Sequence, residues 1–126
     1  MKKLVLTILA LCALGAVLAS PASARPWYSN NWMSPTGNIR CVYNTNNDAL
    51  TCGTANPRRS ITLWSDGSTS RGRALPNSRG YVLPYGTYWQ SYYGNGDTFC
   101  QSFKTGTECW NDYGGFHISR ERIYGY

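Results

Sequence analysis

The sequence predicts an all-β fold, a small antiparallel sheet, sandwich or open barrel stapled by two disulfides, after a leader that forms a cleaved signal helix. Three observations carry this reading. Gly, Asn, Ser, Thr, Tyr and Trp are plentiful, whereas strong helix formers are scarce beyond the leader. Short alternating apolar runs are separated by turn-forming residues. No stretch after the leader places apolar residues at i, i+3, i+4 and i+7 over about ten positions.

The leader comes first. Met1-Lys2-Lys3 is a basic start, residues 4–18 are apolar, and Ser20-Pro21-Ala22-Ser23-Ala24 ends in an A-x-A cleavage pattern. The apolar run is shorter than the roughly 20 residues a membrane span needs. Cys12 follows Leu11 inside that run, where a lipid-anchor signal would need a small residue. Residues 1–24 therefore read as a signal peptide cut near Ala24, which sends the chain to the exterior or the cell-envelope space. Cleavage leaves 102 of the 126 residues, with ten Lys and Arg against six Asp and Glu, a net charge of +4. One small domain of this size buries only about two-thirds of its unfolded surface, so cross-links matter to it.

Residues 25–33 read as an extended N-terminal arm, held to the body by Trp27 and Trp32, and residues 34–126 as a single β domain. In 39–43, Ile39, Cys41 and Tyr43 share one face; their partner, 49–52, follows an Asn-rich turn. A strand over 61–64 ends at Asp66-Gly67, and the Ser-, Gly- and Arg-rich stretch 65–80 reads as a long loop. Strand 81–83 stops at the turn Pro84-Tyr85-Gly86, and aromatic strand 88–93 at the turn 94–97. Strands 99–103 and 107–111 form a second hairpin that places Phe99 opposite Trp110, and 116–124 is the last strand.

Cys41, Cys52, Cys100 and Cys109 remain after cleavage, and an even count in an exported chain reads as two disulfides. Of the three pairings four cysteines allow, symmetry favours Cys41–Cys52 and Cys100–Cys109, because each pair is centred on a predicted turn. Residues facing each other there have Cβ atoms about 5 Å apart, within reach of a bridge. Closing such short loops stabilises the fold by roughly 2–3 kcal/mol each. Neither pair has the C-x₂₋₄-C spacing of a zinc site, and no cofactor or metal is expected.

Catalytic chemistry finds little footing. Paired cysteines offer no thiolate. His117, Ser119 and Glu121 alternate along one face, but same-face neighbours lie about 6.6 Å apart, too far for a Ser–His contact of roughly 2.6–3.2 Å. They read as a solvated strand face, with Phe116 and Ile118 inward. Asp48, Asp66, Asp97 and Asp112 fall in turns, leaving Glu108 and Glu121 as a carboxylate pair that could meet across neighbouring strands. A small hydrolase built on them is one alternative function; no catalytic residue is assigned.

A binding role has more support. Arg58, Arg59, Arg71, Arg73 and Arg79 lie within 57–80 against Asp66 alone. Nearby stand the aromatics Trp64, Tyr81, Tyr85, Tyr88, Trp89, Tyr92 and Tyr93. Arg forks grip carboxylate or phosphate, and aromatic rings stack on sugars. Adjacent Tyr92 and Tyr93 cannot both face inward on a strand. The expected binding set is therefore the five arginines with Trp89, Tyr92 and Tyr93. Outside the cell its partner is an anionic envelope polymer rather than nucleic acid; the alternative partner is an extracellular protein.

Five segments also carry a resemblance: Ser34-Pro35-Thr36-Gly37-Asn38-Ile39-Arg40-Cys41, Leu83-Pro84-Tyr85-Gly86, Cys100-Gln101-Ser102, Gly106-Thr107-Glu108-Cys109-Trp110-Asn111 and Gly115-Phe116-His117-Ile118-Ser119-Arg120. In this order they are similar to a family of small exported proteins, mainly actinobacterial, classed as a domain of unknown function. That family shows S-P-[ST]-G-N-I-x-C, L-P-Y-G, C-x-S, G-x-x-C-x-N and G-F-x-x-S-R. The similarity runs from about residue 34 to 122, and residues 54–80 depart from the pattern. It implies export and a shared disulfide fold, with no activity attached.

Overall fold

The computed structural model describes residues 30–77, 81–91 and 98–126; the segment read as a leader and the cleavage site expected near Ala24 lie outside them. Ten strands form two five-stranded antiparallel sheets, with no helix among the described residues. The first sheet runs in chain order through β1 (Asn31–Met33), β2 (Ile39–Asn44), β3 (Ala49–Thr54), β4 (Arg59–Leu63) and β5 (Thr69–Gly72). The second does the same through β6 (Tyr88–Gln90), β7 (Phe99–Phe103), β8 (Gly106–Trp110), β9 (Gly115–Ile118) and β10 (Ile123–Gly125).

The two meanders are built alike. Across the first sheet the register aligns Trp32, Cys41, Cys52 and Ile61 in one row; across the second it aligns Trp89, Cys100, Cys109 and Phe116. All eight side chains are fully buried. Both bridges have the expected pairing, Cys41–Cys52 and Cys100–Cys109, each between the second and third strands of its meander. The rows face each other across the sandwich: Cys52 Sγ lies 4.0 Å from Cys109 Sγ, and the rings of Trp32 and Trp89 are 6.4 Å apart. Two sheets that each present one apolar face bury them most economically by this face-to-face packing.

Four expectations change. The stretch 65–80 is not wholly loop, because β5 pairs with β4 from Ser60↔Gly72 to Leu63↔Thr69. Its polar residues suit an edge strand, where one side has no partner and one face is wet. The last strand is two: β9 ends at Ile118, and a turn leads into β10. Ser119 makes that turn without Gly or Pro, its N–H donating to the Arg122 carbonyl (2.7 Å) and its Oγ accepting the Arg122 N–H (3.0 Å). The strand foreseen over 81–83 is a single parallel bridge from Val82 to Met33, which covers the β1 edge. Finally, β6 is short, and residues 92–97 lie outside the described residues. The end of the foreseen arm is β1 itself, with Trp32 buried at its centre.

Candidate binding site

Four of the five arginines predicted as a binding set, Arg58, Arg59, Arg71 and Arg73, are brought together at and beside the pairing of β4 with β5. Arg71 continues the inward row of Ile61, and Arg59 stands opposite Thr54. Both therefore reach across to the second sheet. Arg59 Nη2 donates to the Arg120 carbonyl (2.6 Å) and Arg71 Nη2 to the Ile123 carbonyl (2.9 Å). Arg58 Nε donates to the Arg73 carbonyl (3.1 Å). Among the described residues the one ion pair is Glu108–His117, so none of their carboxylates neutralises Arg58, Arg59, Arg71 or Arg73. A guanidinium has five donors, and one carbonyl contact leaves most of them for a ligand while fixing where the group sits. Arg120, absent from the expected set, joins this edge through the exposed β9–β10 turn. Only the packing of the two sheets puts it beside Arg59, which lies 61 residues away in the chain. Arg79 lies outside the described residues.

The aromatic half of the expected set fares differently. Trp89 is fully buried, its ring 5.4 Å from Tyr43 as well as close to Trp32, so it is core and offers no surface to a partner. Its position opposite Cys100 on the inward row dictates this. Tyr92 and Tyr93 lie outside the described residues. Tyr85, by contrast, is 38% exposed and lines a cleft that the sequence did not reveal.

That cleft, about 390 Å³, opens at the end of the sandwich where the β1–β2, β3–β4, β7–β8 and β9–β10 turns meet the Tyr85 turn. Tyr85 and Phe103, the latter 39% exposed, supply aromatic rings; Asn38 and Asn56 supply amides; Lys104, Arg120 and Glu121 supply charge. Its walls are tied down. Ser34 Oγ accepts the Ile39 N–H (3.2 Å), and the Asn56 N–H donates to Asn38 Oδ1 (3.2 Å). The Gly86 N–H donates to the Ser102 carbonyl (2.7 Å), and Gly86 sits at φ +83° with open space around it, so backbone conformation alone calls for glycine. Gly106 is held at φ +137°, and a Cβ there would lie 2.7 Å from the Ile118 carbonyl oxygen, so this glycine lets the two turns close on each other.

The residues weighed for catalysis are placed otherwise than expected. Ser119 is buried in its turn rather than solvated. Glu108 meets His117 across strands, not Glu121, which lines the end cleft. His117 Nδ1 lies 2.7 Å from Glu108 Oε1, and its ring stacks on Tyr124 at 5.0 Å. Tyr126 donates its hydroxyl to Glu108 Oε2 (2.9 Å). Partial burial first, then the bond to Glu108 and its negative charge, push the Tyr126 phenol up to about 12. Both carboxylate oxygens are thus engaged in holding the outer face of the second sheet.

Among the described residues no cluster of three or more His, Cys, Asp or Glu could hold a metal ion, and no helix is long and apolar enough to cross a membrane. No protein-family model, curated protein or solved structure matches this chain.

Proposed function

We propose that this chain is an exported, non-catalytic binding module whose ligand is an anionic polymer of the cell envelope. One observation carries the reading: the guanidinium groups of Arg58, Arg59 and Arg71 are anchored to backbone carbonyls, Arg58 to that of Arg73, yet none has a carboxylate partner among the described residues. A fixed cation without a counter-charge is poised for an external anion and loses little side-chain freedom on binding. The signal pattern at residues 1–24 and the family resemblance support export. Retention on purified envelope, with all five predicted arginines changed to Ser, tests the reading. Retention should fall at least tenfold and should weaken steeply with salt, since exposed charges are screened within about 8 Å at physiological ionic strength. Retention unchanged by both the substitutions and the salt would sink it.

The second reading, an extracellular protein partner, draws on the outer face of the second sheet. Phe99 stacks on Trp110 there at 5.8 Å, and Tyr124 and Tyr126 are exposed beside His117. Such a partner would bind in high salt and be lost on changing Trp110 and Tyr124 to Ser, leaving the arginines without effect.

A further inference from the structure

We infer that the end cleft is a binding site for a single sugar ring bearing a carboxylate, a subsite that reads the ring while the arginine edge holds the polymer. The inference rests on the polymer-binding reading above and adds the chemistry of the repeating unit. The cleft's volume, about 390 Å³, lies within the roughly 300–1,000 Å³ of small-ligand pockets. Tyr85 and Phe103 each keep more than a third of their surface in water, and exposed rings at a polar cleft suit the apolar face of a pyranose. Asn38 and Asn56 offer amide groups to ring hydroxyls.

The charges select the acid. Lys104 and Arg120 face the cleft with Glu121, and none of the three is ion-paired among the described residues. Their sum is one positive charge, which a singly charged carboxylate balances. A phosphate monoester, carrying about −1.5 to −2, would be under-compensated and would sit beside Glu121. Glu121 then serves as an acceptor for hydroxyls. The Arg59 bond to the Arg120 carbonyl joins the cleft to the arginine edge, so a chain of acidic rings can run from one to the other. The stiff walls described above mean that little has to be ordered on binding.

Calorimetry on the full mature chain tests this with three polymers: hexagalacturonate, its methyl ester, and poly-L-glutamate. Hexagalacturonate should bind at least tenfold tighter than either of the others. The double variant Tyr85→Ala/Phe103→Ala should erase the advantage over poly-L-glutamate while leaving poly-L-glutamate binding within twofold of the parent. An unchanged thermal midpoint of that variant shows that it folds, as expected for half-exposed rings. Glucuronate should displace the hexamer at lower concentration than glucose 6-phosphate; the reverse order overturns the carboxylate assignment. Equal binding of hexagalacturonate and poly-L-glutamate by the parent overturns the sugar site but leaves the arginine edge standing. Absence of binding to both overturns the two readings together.

Discussion

Tyr126 shows how much one side chain ties together at the residue scale. Its backbone N–H and carbonyl both pair with Gly115 at 2.9 Å, and its hydroxyl donates to Glu108. Because burial and Glu108 raise its phenol to about 12, the folded chain keeps this proton while an unfolded chain releases it near 10. The stabilisation is therefore complete below about pH 10 and is lost as pH rises from there to about 12. An absorbance titration should show one tyrosine ionising near the top of that window, and Tyr126→Phe should remove it. Gly106 is a second point of control. Replacing it with Ala forces a Cβ against the Ile118 carbonyl at a φ that L-residues rarely adopt, at a cost of about 1–3 kcal/mol. For a domain this small each kcal/mol lowers the thermal midpoint by roughly 4–8 °C. Scanning calorimetry of Gly106→Ala checks this, and an unshifted midpoint would show that the turns can part freely.

At the scale of elements, each meander is locked by its own bridge at its own centre, and the two bridges touch in the core. Changing Cys100 and Cys109 together to Ala should cost roughly 2–3 kcal/mol through the freed loop. The lost packing of Cys109 against Cys52 adds to it. Trp89 belongs to the same row, so Trp89→Ala should cost about 3–5 kcal/mol in urea unfolding, the range for a large buried aromatic. A near-neutral result would place Trp89 at the surface and restore it as a contact residue. The repeated row of Trp, two Cys and a large apolar residue was present in the sequence. It is hard to see there, because the cysteines are separated by 11 positions in one half and 9 in the other. Hairpins of unequal length conceal a likeness that only strand register exposes.

For the whole molecule the unbalanced charge is the dominant feature. The arginines of β4, β5 and the β9–β10 turn gather on one side without carboxylate partners among the described residues, so they repel one another at low ionic strength. Raising NaCl from about 10 mM, where the Debye length is about 30 Å, to about 0.1 M, where it is about 10 Å, should raise the thermal midpoint. A fall over that range would show that favourable ion pairs outweigh the repulsion.

The all-β class, the two bridges and most strand positions are legible along the chain. Alternation, turn residues and the symmetry of cysteines about turns are local signals, and a hairpin is a local object. The sequence also marked Arg58, Arg59, Arg71, Arg73 and Arg79 as one cluster, since they are close along the chain. Hidden from it were the split of the last strand at Ser119, where the turn is built by hydrogen bonds rather than by Gly or Pro, and the burial of Trp89, which depends on which way β6 faces. Tertiary structure alone decided the joining of Arg120 to Arg59, the pairing of Glu108 with His117, and the meeting of Asn38, Asn56, Tyr85, Lys104 and Glu121 at one cleft. These residues come from five separate turns. Nothing along the chain says which ends of two sheets will coincide; that is set when the Trp–Cys–Cys rows pack against each other and fix the sheets' relative position.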